Sequence, residues 1–200
     1  NTFSGRISSG EYVIDTSVTS QTASGLLFAL PLVGGVSSLD FTGKPVSEKY
    51  LDMTYSVLDL SGIRYKKSGY KTIIEGKQSY LLPDTVKVCG DWSAAAFLLV
   101  IGAVCGYASV SGLSFADGQG DKEIVEILRS MNADITVTGD KVETRKGQLK
   151  GVSVNCEDIP DLVMPLVAAA VFADGKSEFT GIERLKYKES DRVESLTGLL

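Results

Sequence analysis

The property that most constrains the fold of this chain is that it copies itself about every seventy residues. The first copy predicts a short strand at 12–15, a polar corner at 16–21, an apolar helix to about 33, Gly34-Gly35, and a strand at 38–41. The second predicts a strand at 86–89, the corner Gly90-Asp91-Trp92-Ser93, a helix at 94–105, Gly106, and a strand at 109–113. The third predicts a strand at 152–155, a corner at 157–161, a helix at 162–173, Gly175, and a strand at 177–180. Each copy then offers a more amphipathic helix, at 47–60, at 121–131 and from 190 onward. In the first two copies strand pairs follow, 63–65 with 70–75 and 134–138 with 141–145, turning at Gly69 and at Gly139-Asp140. The expected unit is βαβαββ, which makes the fold class α/β. The third copy stops at Leu200 inside its second helix and the chain opens on Asn1, so the sequence reads as a segment of a longer protein.

Composition narrows what such a scaffold can do. A chain that is 44% hydrophobic and 22% charged is not intrinsically disordered. The apolar runs 94–105 and 162–173 are shorter than a bilayer requires and are expected as buried helices. The first residues lack a basic-then-apolar signal pattern. A net charge of -5 exerts no general pull on nucleic acid or on an anionic membrane, so neither is expected as a partner, and any anion must be caught locally. There is no histidine, which removes Ser-His-Asp and Cys-His nucleophiles and all His-ligated metal sites. Acid-base work then falls to carboxylates and lysines. Cys89, Cys105 and Cys156 are odd in number and far apart, which fits a reducing cytoplasm.

In each copy the first strand enters its helix through a polar corner, and free N–H groups with the positive end of the helix dipole make such corners anion sites. The same residues serve as N-caps. Asp91 and Ser93 read mainly as caps. The corner Thr16-Ser17-Val18-Thr19-Ser20-Gln21 carries four hydroxyls and an amide where a cap needs one, and Ser47 and Tyr50 offer two more hydroxyls to the same anion. Cap and phosphate site both remain open there. At 183–192, seven of ten residues are charged. With Ser190 as the expected cap, Lys188 and Arg192 crowd a helix N-terminus that disfavours cations, which is intelligible if a bound anion compensates them.

Together, Ser17-Val18-Thr19-Ser20-Gln21, Gly90-Asp91-Trp92-Ser93-Ala94-Ala95-Ala96-Phe97, Ile159-Pro160-Asp161 and the run from Glu183 to Arg192 resemble the 5-enolpyruvylshikimate-3-phosphate synthases. The resemblance spans essentially the whole chain but only the middle half of a family member. It implies two lobes, each an inside-out α/β barrel of three βαβαββ units. Residues 1–88 would be the later part of the first lobe and 89–200 the earlier part of the second. The implied reaction moves the enolpyruvyl group of phosphoenolpyruvate to the 5-hydroxyl of shikimate 3-phosphate, in aromatic amino acid biosynthesis, with no metal or organic cofactor.

Carried over by position, the resemblance gives Thr19, Ser20, Ser47 and Tyr50 the shikimate phosphate and places Gln21 facing both substrates. Thr19 stands where the family usually has Ser and keeps the hydroxyl. Asp161 would bind the shikimate hydroxyls and act as base, with Lys188 on the same substrate. Glu189 would donate a proton to the phosphoenolpyruvate methylene, and Arg192 would grip phosphoenolpyruvate through its fork of donors. The family's N-terminal Lys-Ser and Arg elements, Asn-Ala-Gly loop, and C-terminal His-Arg and Lys elements are outside this sequence, so the chain alone is expected to be inactive. The alternatives are a UDP-N-acetylglucosamine enolpyruvyl transferase, against which the Ser-Val-Thr-Ser-Gln corner and the Lys-Glu-Ser-Asp-Arg run argue, and a non-catalytic binding piece on the same scaffold.

Overall fold

Alternation along Val36–Thr42 sets the first sheet: Ser37, Leu39 and Phe41 turn inward while the residues between them face out. The computed structural model describes residues 4–17, 19–43 and 48–199, and the chain divides between Lys87 and Val88 into two units, each with its own core.

The first unit runs β1 (Glu11–Asp15), α1 (Gln21–Ala29), a 3-10 turn at Leu30–Leu32, β2 (Val36–Thr42), α2 (Glu48–Leu60), β3 (Tyr65–Ser68) and β4 (Lys71–Glu75). β1 and β2 are parallel, as a helical crossover requires, with Glu11 opposite Ser38 and Asp15 opposite Thr42. β4 pairs antiparallel with both β2 and β3, giving the order β1-β2-β4-β3. Ala23 and Leu27 of α1, Leu51, Tyr55 and Leu58 of α2, and Leu39 and Ile74 of the sheet form the core, each large apolar side chain contributing roughly 1.5–3 kcal/mol by burial. The strand expected at 63–65 begins two residues later. Ile63 is still tied to α2, its N–H donating to Leu58 O at 3.0 Å, and it is buried.

The second unit runs α3 (Trp92–Cys105), β5 (Tyr107–Val110), a 3-10 turn at Gly120–Glu123, α4 (Ile124–Ser130), β6 (Asp134–Thr138), β7 (Lys141–Arg145), β8 (Ser153–Asn155), a 3-10 turn at Pro160–Leu162, α5 (Val163–Val171), β9 (Glu178–Thr180), a 3-10 turn at Glu183–Tyr187 and α6 (Arg192–Leu199). The repeat is visible in the pairing. The antiparallel order β5-β7-β6 reproduces β2-β4-β3, and parallel β8-β9 reproduces β1-β2.

The strand expected at 86–89 is not formed. Those residues straddle the division between the units, Val86 and Val88 are exposed, and the pairing survives only as Gly90 N–H donating to Gly112 O at 2.8 Å. The expectation that the two apolar runs are buried holds on one face of each helix. In α3, Ala95, Ala96, Leu99, Val100 and Ala103 are buried while Phe97, Leu98 and Ile101 are about half exposed; in α5, Leu166 and Ala169 are buried and Val171 faces out. Gly102 lets α3 lie directly on the sheet, because an added Cβ would stand 2.2 Å from Thr144 Oγ1 and 2.6 Å from Ala108 N. Among the described residues no helix is long and apolar enough to cross a membrane.

The three thiols are free, with Cys105 exposed, Cys89 half-buried and Cys156 buried. Burial pushes the Cys156 thiol up to about 11, which leaves almost no thiolate at pH 8. An alkylating reagent at pH 8 is expected to modify Cys105 quickly and Cys156 only on unfolding, read by mass spectrometry of the labelled peptides. Equal labelling rates in the folded protein would contradict the buried position.

Candidate active site

The corner between β8 and α5 is held from both sides. Asn155 Oδ1 accepts from Glu157 N–H at 3.0 Å, and Cys156 N–H donates to Thr180 O at 2.8 Å. Gly181, at φ +69°, presses against it; an added Cβ would lie 2.4 Å from Asn155 Oδ1 and 2.8 Å from Glu157 N. Pro160 opens the 3-10 turn, and no side chain caps it. Asp158 therefore does not supply the capping oxygen that its position suggests.

Asp161 is turned instead toward the charged segment after β9. Its Oδ1 receives Lys188 Nζ at 3.3 Å and Arg192 Nη1 at 2.8 Å, with all three side chains about a quarter exposed. Arg192 uses the other arm of its fork, Nη2, on Glu189 Oε2 at 3.1 Å. Glu189 is 84% exposed at its side chain, and its carboxyl lies below the usual range because its own backbone N–H and then Arg192 favour the anion. Arg184 sits behind this group, its Nη1 donating to Glu157 O at 3.4 Å. Burial lowers the proton affinity of Arg184, against the opposing charges of Asp161, Asp158 and Glu157.

Two expectations change here. Asp191, not Ser190, caps α6: its Oδ1 accepts from Val193 and Glu194 N–H, both at 3.0 Å. The carboxylate immediately before the first helical residue reaches these two donors, and Ser190 is left exposed. The negative charge that compensates Lys188 and Arg192 comes from Asp161 within the chain.

The α3 corner divides its labour differently from the expectation that both Asp91 and Ser93 are caps. Asp91 alone caps, its Oδ1 accepting from Ser93 N–H at 2.8 Å and Ala94 N–H at 3.3 Å. Ser93 Oγ donates to Asp121 Oδ2 at 2.5 Å. Asp121, only 2% exposed, is a buried carboxylate that motif reasoning passes over as the start of a helix. Its one sequence signal is its place in the repeat, where it corresponds to Ser47 and Ser190.

In the first unit, Thr19, Ser20 and Gln21 share the corner between β1 and α1. Thr19 Oγ1 accepts from Gln21 N–H at 3.2 Å, so the threonine makes the local turn. Ser20 is buried at 6% exposed and makes no side-chain cap bond, and Gln21 is exposed. Thr16 is spent on the sheet, donating N–H and Oγ1 to Thr42 O at 3.1 and 3.3 Å. Tyr50 lies half-buried in the first turn of α2, a turn before Thr54, whose Oγ1 meets Ser24 Oγ of α1 at 2.8 Å. Ser47 lies outside the described residues. Asp161, Lys188, Glu189 and Arg192 thus come together in the second unit, and Thr19, Ser20 and Gln21 in the first. Among the described residues no group of three or more Cys, Asp or Glu is placed to hold a metal ion.

The chain as a whole has counterparts among known proteins. A 3-phosphoshikimate 1-carboxyvinyltransferase of Clostridium kluyveri is 37% identical over 200 residues, covering 100% of this chain and 47% of its own length. One from Actinobacillus pleuropneumoniae is 35% identical over 188 residues, covering 94% of this chain and 44% of its own. The chain therefore spans less than half the length of these relatives. The solved EPSP synthase of Acinetobacter baumannii superposes with a TM-score of 0.68 at 25% identity, covering 94% of this chain and 44% of that one. The enolpyruvyl transferase NikO of Streptomyces tendae shares the fold at a TM-score of 0.63 and 16% identity, over 88% of this chain and 44% of its own. Since the family model for EPSP synthase (3-phosphoshikimate 1-carboxyvinyltransferase) matches residues 4–199, nearly the whole chain, this protein belongs to the EPSP synthase family.

Proposed function

We propose that the protein transfers the enolpyruvyl group of phosphoenolpyruvate to the 5-hydroxyl of shikimate 3-phosphate, releasing phosphate, as a cytoplasmic step of aromatic amino acid biosynthesis. Family membership supports the reaction, and the free thiols support a reducing compartment. Units 1–87 and 88–200 are taken as parts of the family's two lobes. The observation that carries the reading is the shared grip of Lys188 and Arg192 on Asp161, with Glu189 on the other arm of the same guanidinium.

The chemistry follows from that fork. Asp161 takes the proton of the 5-hydroxyl as its oxygen bonds to the substituted carbon of phosphoenolpyruvate, and Glu189 gives a proton to the methylene. The adduct then loses phosphate, which carries off the proton held on Asp161, as the new methyl returns its proton to Glu189. Glu189 in its present pairing is held as the anion. A phosphoenolpyruvate anion that draws Arg192 away removes one cause of that low value and raises the proton affinity of Glu189. Lys188 stays on Asp161 and orients it toward the acceptor.

Thr19, Ser20, Ser47 and Tyr50 are assigned to the 3-phosphate of the acceptor. Hydroxyls and free N–H groups at a corner suit phosphate, and the buried Ser20 hydroxyl is not used as a cap. Gln21 is assigned to both substrates. The test is phosphate release by the protein at its natural full length. Release that needs both shikimate 3-phosphate and phosphoenolpyruvate is expected, and none with both present would contradict the proposal.

A further inference from the structure

The last turn of α3, the residue after α5 and the segment after β7 enclose a cleft of about 430 Å³, lined by Val104, Cys105, Lys146, Gly147, Leu149 and Phe172. Its walls are tied together by backbone hydrogen bonds. Lys146 N–H donates to Gly106 O at 2.7 Å and Gly147 N–H to Ala103 O at 3.3 Å, while Asp174 N–H donates to Leu149 O at 2.8 Å. The segment is thus fixed to both helix ends, and the cleft has its shape before any ligand arrives. Leu149 is buried and Val104 half-buried, whereas Phe172 leaves its ring 66% exposed. None of the lining residues is acidic. Neighbouring cations are already used, Lys141 on Glu143 at 3.2 Å and Arg145 over the Tyr107 ring at 5.1 Å. Lys146 is exposed and, among the described residues, makes no ion pair. The cleft lies at the other end of α5 from Asp161, nine helical residues away, which is about 13 Å.

We propose that this cleft binds a small aromatic carboxylate, its ring against Val104, Leu149 and Phe172 and its carboxylate on the Lys146 ammonium. An apolar wall beside one unspent cation selects a ligand that has both parts. Burial of the ring supplies the attraction, and the ammonium, a compact point charge on a flexible stem, fixes which end faces out. A neutral ring leaves Lys146 without a partner, and a bare anion leaves Phe172 in water. A lysine beside the end of α3 also complements the negative end of the helix dipole, but that duty asks for neither a cleft nor an apolar wall. The exposed Cys105 thiol in the same wall is a reporter of occupancy, not the binding group. Occupancy is read without turnover, so the cleft stands or falls apart from the transfer reaction.

The experiment follows Cys105 in the full-length protein with dithiobis(nitrobenzoate), a disulfide of an aromatic carboxylate. The thiol gives its proton to the buffer, the thiolate attacks one sulfur of the reagent, and a mixed disulfide forms as the coloured nitrothiobenzoate anion leaves. Mass spectrometry of the labelled peptide assigns the signal to Cys105. The expected rate saturates with reagent, because the reagent binds before it reacts. Benzoate should slow the reaction, and acetate or benzamide at the same concentration should not. Lys146→Gln should weaken benzoate protection about 10-fold, as one charge-assisted hydrogen bond is lost, and Phe172→Ser should weaken it as well. Neither variant should change the rate with the uncharged dithiodipyridine. A rate proportional to reagent throughout, with no protection by benzoate, overturns the proposal. Equal protection by acetate would reduce the site to a surface charge, and equal protection by benzamide would remove the role of Lys146; either result overturns it too. So does a Cys105 that does not react in the folded full-length protein, since the cleft is then covered. A lysine that serves only the end of α3 predicts a lower melting temperature for Lys146→Gln with labelling and protection unchanged, and that outcome is equally fatal.

Discussion

Asp161→Asn is expected to cost about 100- to 10,000-fold in kcat while the fold survives. The change keeps the shape of the side chain and one acceptor for Arg192 but removes the proposed proton acceptor and the charge that pairs with Lys188. In barrier terms the loss is roughly 3–5 kcal/mol. Stability should fall far less, because Asp161 caps no helix: the turn at Pro160–Leu162 has no side-chain cap bond. The measurement is kcat beside melting temperature in the full-length protein. Near-normal turnover, or a loss that tracks unfolding, would return Asp161 to a surface ion pair, for which the usual worth is at most about 1 kcal/mol.

Arg192→Lys keeps the charge and loses the fork. Arg192 reaches Asp161 and Glu189 with separate nitrogens, at 2.8 and 3.1 Å, which a single ammonium cannot reproduce. Losing a charge-assisted hydrogen bond to substrate costs about 1.5–3 kcal/mol, which is about a 10- to 150-fold fall in kcat/KM. The fall should appear in kcat/KM for phosphoenolpyruvate and much less in the dissociation constant of shikimate 3-phosphate. The carboxyl of Glu189, freed of one cause of its low value, should titrate at higher pH in the variant. Equal losses for both substrates would contradict the assignment of Arg192 to phosphoenolpyruvate.

What the sequence makes legible is what repeats. The βαβαββ period, the helices at its corners and the hairpins at Gly69 and Gly139 all carry local signals, and β5-β7-β6 echoing β2-β4-β3 is the same period seen in space. Asp161, Lys188, Glu189 and Arg192 are legible as chemistry because their types and order form a motif. Their joint meeting, which brings residue 161 to residue 192, depends on parallel β8-β9 pairing and on Gly181. The errors are at places where long-range packing overrides a local signal. Residues 86–89 have the apolar composition of a strand but lie at the division between units. Ser190 and Asp158 have capping chemistry, but Asp191 stands nearer the helix start and Pro160 opens its turn uncapped. Ser93 looks like a cap until Asp91 takes both donors and Asp121 takes its hydroxyl. No spacing rule joins residues 93 and 121, because their contact is made by α3 packing on the turn at Gly120–Glu123.

The central claim is the identity of the acceptor. The direct measurement offers the full-length protein phosphoenolpyruvate with shikimate 3-phosphate and UDP-N-acetylglucosamine together, and identifies the product by mass spectrometry. An enolpyruvyl ether on shikimate 3-phosphate, formed with one phosphate released per product, is the expected result. Enolpyruvyl transfer to the nucleotide sugar alone would contradict it.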